Sequence, residues 1–131
     1  MGKFYLLVLA FCCGVFPLRA QSIHFDRLDI NDGLSQNTVT SIIQDDKGFM
    51  WFGTKDGLCR YDGKSFKTFM HDPRLTTGLG NSLIKCLVED HDRRIWVGTD
   101  SGLYIYDPEM EHFSAVPLYA DDGKPVTKPV P

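Results

Sequence analysis

Two short polar stretches are the first places where this sequence could do chemistry. Asp45-Asp46-Lys47-Gly48 and Asp90-His91-Asp92-Arg93 gather acidic side chains, and carboxylate oxygens are the ligands that calcium prefers. Neither stretch has the alternating oxygen ligands or the distal glutamate of an EF-hand loop. An aspartate that accepts hydrogen bonds from its own backbone, followed by glycine, is typical of a tight turn. We therefore interpret both stretches as turns, and we predict no metal site and no cofactor.

The other candidate groups do not form a catalytic pattern either. The four histidines are scattered, without H-x-x-x-H or C-x-x-C spacing. The sequence has no G-x-S-x-G, no phosphate-binding glycine loop and no nucleophile beside an evident base. Lys55-Asp56 and Asp100-Ser101 are poor candidates for acid–base work, although they could contact a ligand. We predict no catalytic residue and no enzymatic activity, with these four residues as possible ligand loops.

The elements that position these side chains are encoded twice. Residues 51–62 return at 96–107 with a constant offset of 45 residues and no gap. Ten of the thirty positions from 33 to 62 are identical to their counterparts, and such repetition is typical of solenoids and propellers. The positions that we interpret as the structural code are Asp45, Trp51, Gly53, Thr54, Gly57, Leu58 and Tyr61, with Asp90, Trp96, Gly98, Thr99, Gly102, Leu103 and Tyr106.

Each type of residue in this code has a structural explanation. The tryptophan could stack on a sugar or fill the wedge between two blades, and its recurrence in both copies favours packing. The glycine two positions later lies on the same face of the strand and lets a neighbour come close. The threonine suits a strand end, where its hydroxyl can bond a turn. The next glycine permits the turn, and the tyrosine places its ring inside with its hydroxyl at the rim.

Each copy predicts four short strands separated by Asp- and Gly-rich turns. The predicted strands are 39–43, 49–54, 58–61 and 65–70, then 84–88, 94–99, 103–106 and 112–116. Four antiparallel strands in about 45 residues is the size of one β-propeller blade. Residues 22–28 have the pattern of one more outer strand. The predicted fold is all-β, with two four-stranded antiparallel blades plus an orphan N-terminal strand, an incomplete propeller.

The chain divides into five segments. Residues 1–20 have the basic start, apolar run and small final residue of a signal peptide cut after Ala20. A membrane anchor is the alternative, but the apolar run at 4–16 is shorter than the roughly 18 residues that a spanning helix needs. Residues 21–37 hold the orphan strand and the loop into the first blade. The first blade is 38–71, a linker with the second blade is 72–117, and a proline-rich tail is 118–131.

Composition bounds the function classes. Hydrophobic residues make up 43% and charged residues 24%, as in globular proteins. The formal net charge of −3 gives no basic surface, so nucleic acid is an unsuitable partner. Beyond the signal peptide the cysteines are Cys59 and Cys86. We expect them to be separate, buried free thiols, although an exported protein could pair them.

The repeat pattern resembles the two-component regulator propeller repeat. The shared pattern is Asp45-x-x-Gly48-x-x-Trp51-x-Gly53-Thr54-x-x-Gly57-Leu58-x-x-Tyr61-Asp62, and the second copy runs from Asp90 to Asp107 with Arg93 in place of the turn glycine. The opening, from Phe25 to Asn37, is similar to the start of the mature sensor region in that family.

The resemblance implies a periplasmic sensor region of a hybrid two-component system of the Bacteroidetes type. There, many blades detect oligosaccharides, and a transmembrane helix and histidine kinase follow. We expect this chain to be the N-terminal fragment of such a sensor, joined to the membrane only through downstream parts. Its expected partners are an oligosaccharide and further blades or another copy of the chain. The alternatives are an extracellular protein-binding scaffold and a propeller lyase or glycosidase.

Overall fold

The computed structural model describes residues 2–3 and 22–125. The predicted signal peptide, apart from residues 2 and 3, therefore lies outside the described residues, as does the end of the proline-rich tail at 126–131. A short 3₁₀ helix, Ile30–Asp32, leads into the first sheet, and the side chain of Asp29 caps it. No helix in the part of the chain that the structure describes is long and apolar enough to span a membrane.

The described chain forms two four-stranded antiparallel sheets, each with its strands in sequence order. We call them blade 1 and blade 2. The predicted all-β fold with two blades is confirmed, and each predicted bound of the eight blade strands lies within one residue of the observed one. Blade 1 comprises β1 Val39–Gln44, β2 Met50–Thr54, β3 Gly57–Tyr61 and β4 Phe66–Phe69; blade 2 comprises β5 Ile84–Glu89, β6 Ile95–Thr99, β7 Leu103–Asp107 and β8 His112–Val116.

The turn between the first two strands has the same shape in both blades. Gly48 has a φ of 87°, and its N–H donates to the carbonyl of Asp45 at 2.9 Å. In blade 2, Arg93 has a φ of 65° and donates to the carbonyl of Asp90 at 3.0 Å. The second copy departs from the pattern in sequence but keeps the left-handed turn, at a conformational cost that glycine would not have.

The core lies between the blades. Trp51 of β2 packs edge-on against Tyr106 of β7 with their ring centroids 5.0 Å apart. Phe69 of β4 lies 5.4 Å from the rings of both Tyr106 and Phe113. Leu58 and Ile84 complete the contact from the two sides and are fully buried. Burying these apolar side chains against one another is the main force that holds one blade on the other.

The predicted orphan strand does not form. Residues 22–29 have no strand assignment in the structure, and Ile23 and Phe25 are exposed. A β-strand needs a neighbour for its backbone hydrogen bonds, and each of the two described sheets ends at its own fourth strand.

The two cysteines are both free, but the expectation that both are buried is wrong for one of them. Cys59 is buried, and Cys86 is exposed on β5. The Cys59 thiol has polar neighbours, the hydroxyls of Ser35 at 3.2 Å and Thr68 at 3.6 Å. Cys86 is exposed because it belongs to the face of blade 2 that points away from blade 1.

Candidate functional site

A carboxylate–indole clamp holds the turn between the first two strands of each blade. One oxygen of Asp45 accepts hydrogen bonds from the backbone N–H groups of Lys47 and Phe49, and the other accepts from the Trp51 indole at 2.8 Å. Asp90 binds the Trp96 indole in the same way at 2.7 Å. Both aspartates are therefore occupied in holding their turn and their tryptophan. The constant six-residue spacing in the two copies was the signal for this bond, which the sequence analysis did not predict.

The clamp of blade 2 also carries an arginine. The Nε of Arg94 lies 2.8 Å from the second oxygen of Asp90, the one that accepts from the indole. The indole hydrogen bond, followed by the backbone and side-chain bonds of Arg94, holds the pKa of Asp90 well below its ordinary value. The carboxylate is therefore charged at neutral pH and stays fixed to its turn.

Gly53 is a point of close approach between the blades. A Cβ built on Gly53 would lie 2.6 Å from Cγ2 of Ile84 in β5, so only glycine leaves room for this neighbour. In blade 2, a Cβ on Gly98 would instead meet the Sγ of Cys86 at 2.5 Å. The same sequence position thus receives the next blade in one copy and an exposed side chain of its own blade in the other.

The threonine of each copy closes the turn that carries a possible ligand loop. The Thr54 hydroxyl donates to the carbonyl of Gly57 at 2.9 Å and accepts from the N–H of Asp56 at 3.0 Å. Thr99 donates in the same way to the carbonyl of Gly102 at 2.9 Å. Gly57 has a φ of 113°, whereas Gly102 has no positive φ. The turn geometry therefore requires glycine in blade 1 but not in blade 2.

The possible ligand loops lie together at one end of the blades. The N–H of Lys55 donates to the carbonyl of Thr38, and that of Asp100 donates to the carbonyl of Leu83. Lys55, Asp56, Asp100 and Ser101 are all exposed. An ion pair joins Lys85 to Asp100 at 3.4 Å. The backbones of both loops are fixed while their side chains face solvent, which is the arrangement that a binding loop on a rigid scaffold needs.

The opposite end holds a cleft of about 170 Å³ between the blades, lined by Phe49, Trp51, Arg60, Arg93, Ile95 and Tyr106 among others. The Arg60 guanidinium lies 4.8 Å from the centre of the Phe49 ring and donates to the Tyr106 hydroxyl at 3.3 Å. Arg60 thus ties blade 1 to blade 2. The repeat comparison missed it because the second copy has isoleucine at this position.

Metal chemistry has no evident site in the described part of the molecule. Within residues 2–3 and 22–125, no group of three or more His, Cys, Asp or Glu side chains is placed to hold an ion. The two acidic stretches considered in the sequence are both turns. Buried side-chain nitrogen and oxygen atoms of the described residues all have hydrogen-bond partners.

Comparison with known proteins places these repeats in context. A sequence profile described as the two-component regulator propeller matches residues 33–56 and 78–101. A protein of Formosa agariphila named histidine kinase P4 is 38% identical over 79 residues, which are 59% of this chain and 6% of that protein. The chain therefore spans a small part of the curated relative that it matches.

Two solved structures from B. thetaiotaomicron are similar to this chain in fold. The extracellular domain assigned to one hybrid two-component system is 32% identical, with a TM-score of 0.68, over 78% of this chain and 14% of that one. A second such domain is 27% identical, with a TM-score of 0.60, over 79% of this chain and 14% of that one.

Proposed function

The chain belongs to the two-component regulator propeller family through its two repeats, and we propose that it is part of an exported, ligand-sensing propeller with an oligosaccharide as its ligand. One observation carries the proposal: the residues identical in both copies are used for packing and turns. Asp45, Trp51, Gly53 and Thr54 all hold the blade together. Ligand recognition then depends on the positions that differ between the copies.

The loops at one end of the blades fit this role best. Lys55-Asp56 and Asp100-Ser101 offer an ammonium group, two carboxylates and a hydroxyl on backbones held by hydrogen bonds. Sugar hydroxyls both donate and accept hydrogen bonds, so a mixed set of donors and acceptors suits them. The loops are exposed, so a soluble ligand can reach them.

Isothermal titration calorimetry of the purified chain against neutral and uronate-containing oligosaccharides tests this function. We expect saturable heat with at least one member of the panel. Asp56→Ala should weaken that binding, while Lys47→Ala, an exposed residue at the opposite end, should leave it unchanged. A chain that binds no member of the panel, or two variants that bind equally, would contradict the proposal.

Two further measurements test the rest of the proposal. Chromatography of the oligosaccharide after incubation should recover it intact, since the proposal assigns no catalytic group, and cleaved products would identify an enzyme instead. Fractionation of cells that express the full-length chain should place it outside the cytoplasm, with residues 1–20 removed. Retention in the cytoplasm would refute export.

A further inference from the structure

Each blade has two sheet faces, and the contact between the blades uses only one face of each. The back face is the side of a blade that in blade 1 carries Trp51, Leu58 and Phe69. The front face is the side that in blade 2 carries Val97, Tyr106 and Phe113. The back face of blade 1 covers the front face of blade 2, and these residues form one buried cluster.

The front face of blade 1 carries the same type of apolar side chains as the buried front face of blade 2. Counted by the 45-residue offset and by strand pairing, Phe52 corresponds to Val97 and Phe66 to Phe113. Val97 is 0% and Phe113 4% exposed, whereas Phe52 and Phe66 are only half-buried. Ile42 is 53% exposed, although its counterpart is a buried leucine. Apart from Cys59, which the Ser35 loop covers, the apolar side chains of this face are left partly uncovered.

The back face of blade 2 carries the same residue types as the back face of blade 1, which is buried in the contact between the blades. Trp51 and Leu58 are 1% and 0% exposed in blade 1, while Trp96 and Leu103 are half-buried in blade 2. Val88 is 56% exposed. Blade 2 therefore presents outward the same type of surface that blade 1 uses to cover its neighbour.

We propose that a second copy of this chain covers these faces head to tail, with the back face of blade 2 of one copy on the front face of blade 1 of the next. The interface between blade 1 and blade 2 within one chain is the template for this contact, because each copy still presents one free face of each of the two types. A contact of this heterologous kind uses different patches on the two partners and can add further copies.

The polar groups at the interface between blade 1 and blade 2 have counterparts that also permit the contact between two copies. Inside the molecule, the Ser41 hydroxyl accepts from the N–H of Leu87 at 3.1 Å. The corresponding groups in the new contact are the Cys86 thiol and the N–H of Ile42, which keep an acceptor opposite a donor. The inter-blade ion pair between Asp46 and Arg93 is replaced by the counterparts His91 and Gly48. No like charges therefore meet at that point.

Sedimentation velocity over a wide range of protein concentrations tests the proposal. We expect the parent chain to associate, and Ile42→Asp or Val88→Asp to weaken association by about a hundredfold or more, because each buries an unpaired carboxylate. Both positions are exposed in the single chain, so neither change should unfold it. Met110→Asp is the matched control, since Met110 is 70% exposed in the turn between β7 and β8, and it should associate like the parent.

Mixing the two variants gives the decisive result. The Ile42→Asp chain keeps an intact back face and the Val88→Asp chain an intact front face, so the mixture should form a one-to-one dimer while each variant alone stays monomeric. If only one of the two substitutions blocks association, like faces meet and the head-to-tail contact is wrong. A parent chain that stays monomeric at every concentration overturns the proposal and leaves these faces to further propeller blades.

Discussion

Replacing Gly53 by alanine tests the close contact between the blades at Ile84. The new Cβ would lie 2.6 Å from Cγ2 and 3.1 Å from Cβ of Ile84. Ile84 is fully buried and branched at that carbon, so it cannot turn away, and the blades must shift apart. Overpacking of this kind costs about 1–3 kcal/mol. We therefore expect Gly53→Ala to lower the free energy of unfolding by that amount in urea titrations followed by circular dichroism.

Gly98→Ala is the matched control for this substitution. Its new Cβ would meet only the Sγ of Cys86 within 3 Å, and that exposed side chain can rotate into solvent. We expect a cost of about 0.5 kcal/mol or less, as for most surface changes. All variants should be compared at one protein concentration, since self-association would raise apparent stability. Trimethylamine oxide in every sample would keep weakened variants folded at the start.

A double-mutant cycle with Ile84→Ala identifies the cause. Ile84→Ala alone should cost about 2–5 kcal/mol because it empties a buried site. With Cγ2 gone, Gly53→Ala should add little, so the cost of the double variant should fall short of the sum of the two single costs by about 1–2 kcal/mol. Equal costs of Gly53→Ala in both backgrounds, or equal costs at Gly53 and Gly98, would refute the close approach as the reason for glycine.

Three further predictions concern single side chains. Arg93→Gly should raise the free energy of unfolding by about 1 kcal/mol, and with it the urea midpoint, because glycine adopts the left-handed conformation without the cost that arginine has. A lower midpoint would contradict this. Asp90 has a lowered pKa in the folded chain, so its stabilisation is present at neutral pH and is lost progressively as the pH falls from the ordinary value of 3.8 towards the lower pKa of the folded chain. Asp90→Asn should therefore flatten the loss of thermal stability in acid, and an unchanged pH profile would count against it. Arg60→Met should cost about 1–2 kcal/mol through its lost ring and hydroxyl contacts, against about 0.5 kcal/mol or less for Lys64→Met at an exposed position between β3 and β4; equal losses in urea titrations would exclude the inter-blade role of Arg60.

The strands could be predicted because their signals are local. Alternating apolar residues and Asp-Gly turns predicted each bound of the eight blade strands to within one residue, and the repeat supplied an internal check. The Asp45–Trp51 hydrogen bond was missed because the two residues were assigned separate roles. The constant spacing of the aspartate and the tryptophan in both copies is consistent with this hydrogen bond, but only side-chain geometry shows that the carboxylate reaches the indole.

Features that depend on a single copy or on a neighbour could not be predicted. Arg60 has no counterpart in the second repeat, so comparing the copies discards it as variable. The strand pattern at residues 22–28 is real in sequence, but a strand forms only beside a partner. Cys86 occupies a position whose burial depends on whether another blade covers it. Burial by a neighbour is a tertiary property that no local pattern contains.

The most direct test of the stacked blades is the solvent access of Trp51, measured by acrylamide quenching in a Trp96→Phe chain at low protein concentration. Trp51 is 1% exposed because blade 2 covers it. We predict blue-shifted emission that acrylamide scarcely quenches, with clearly stronger quenching of Trp96 in the matched Trp51→Phe chain. Emission from Trp51 that is quenched as strongly as that of Trp96 would show that the blades do not pack on one another.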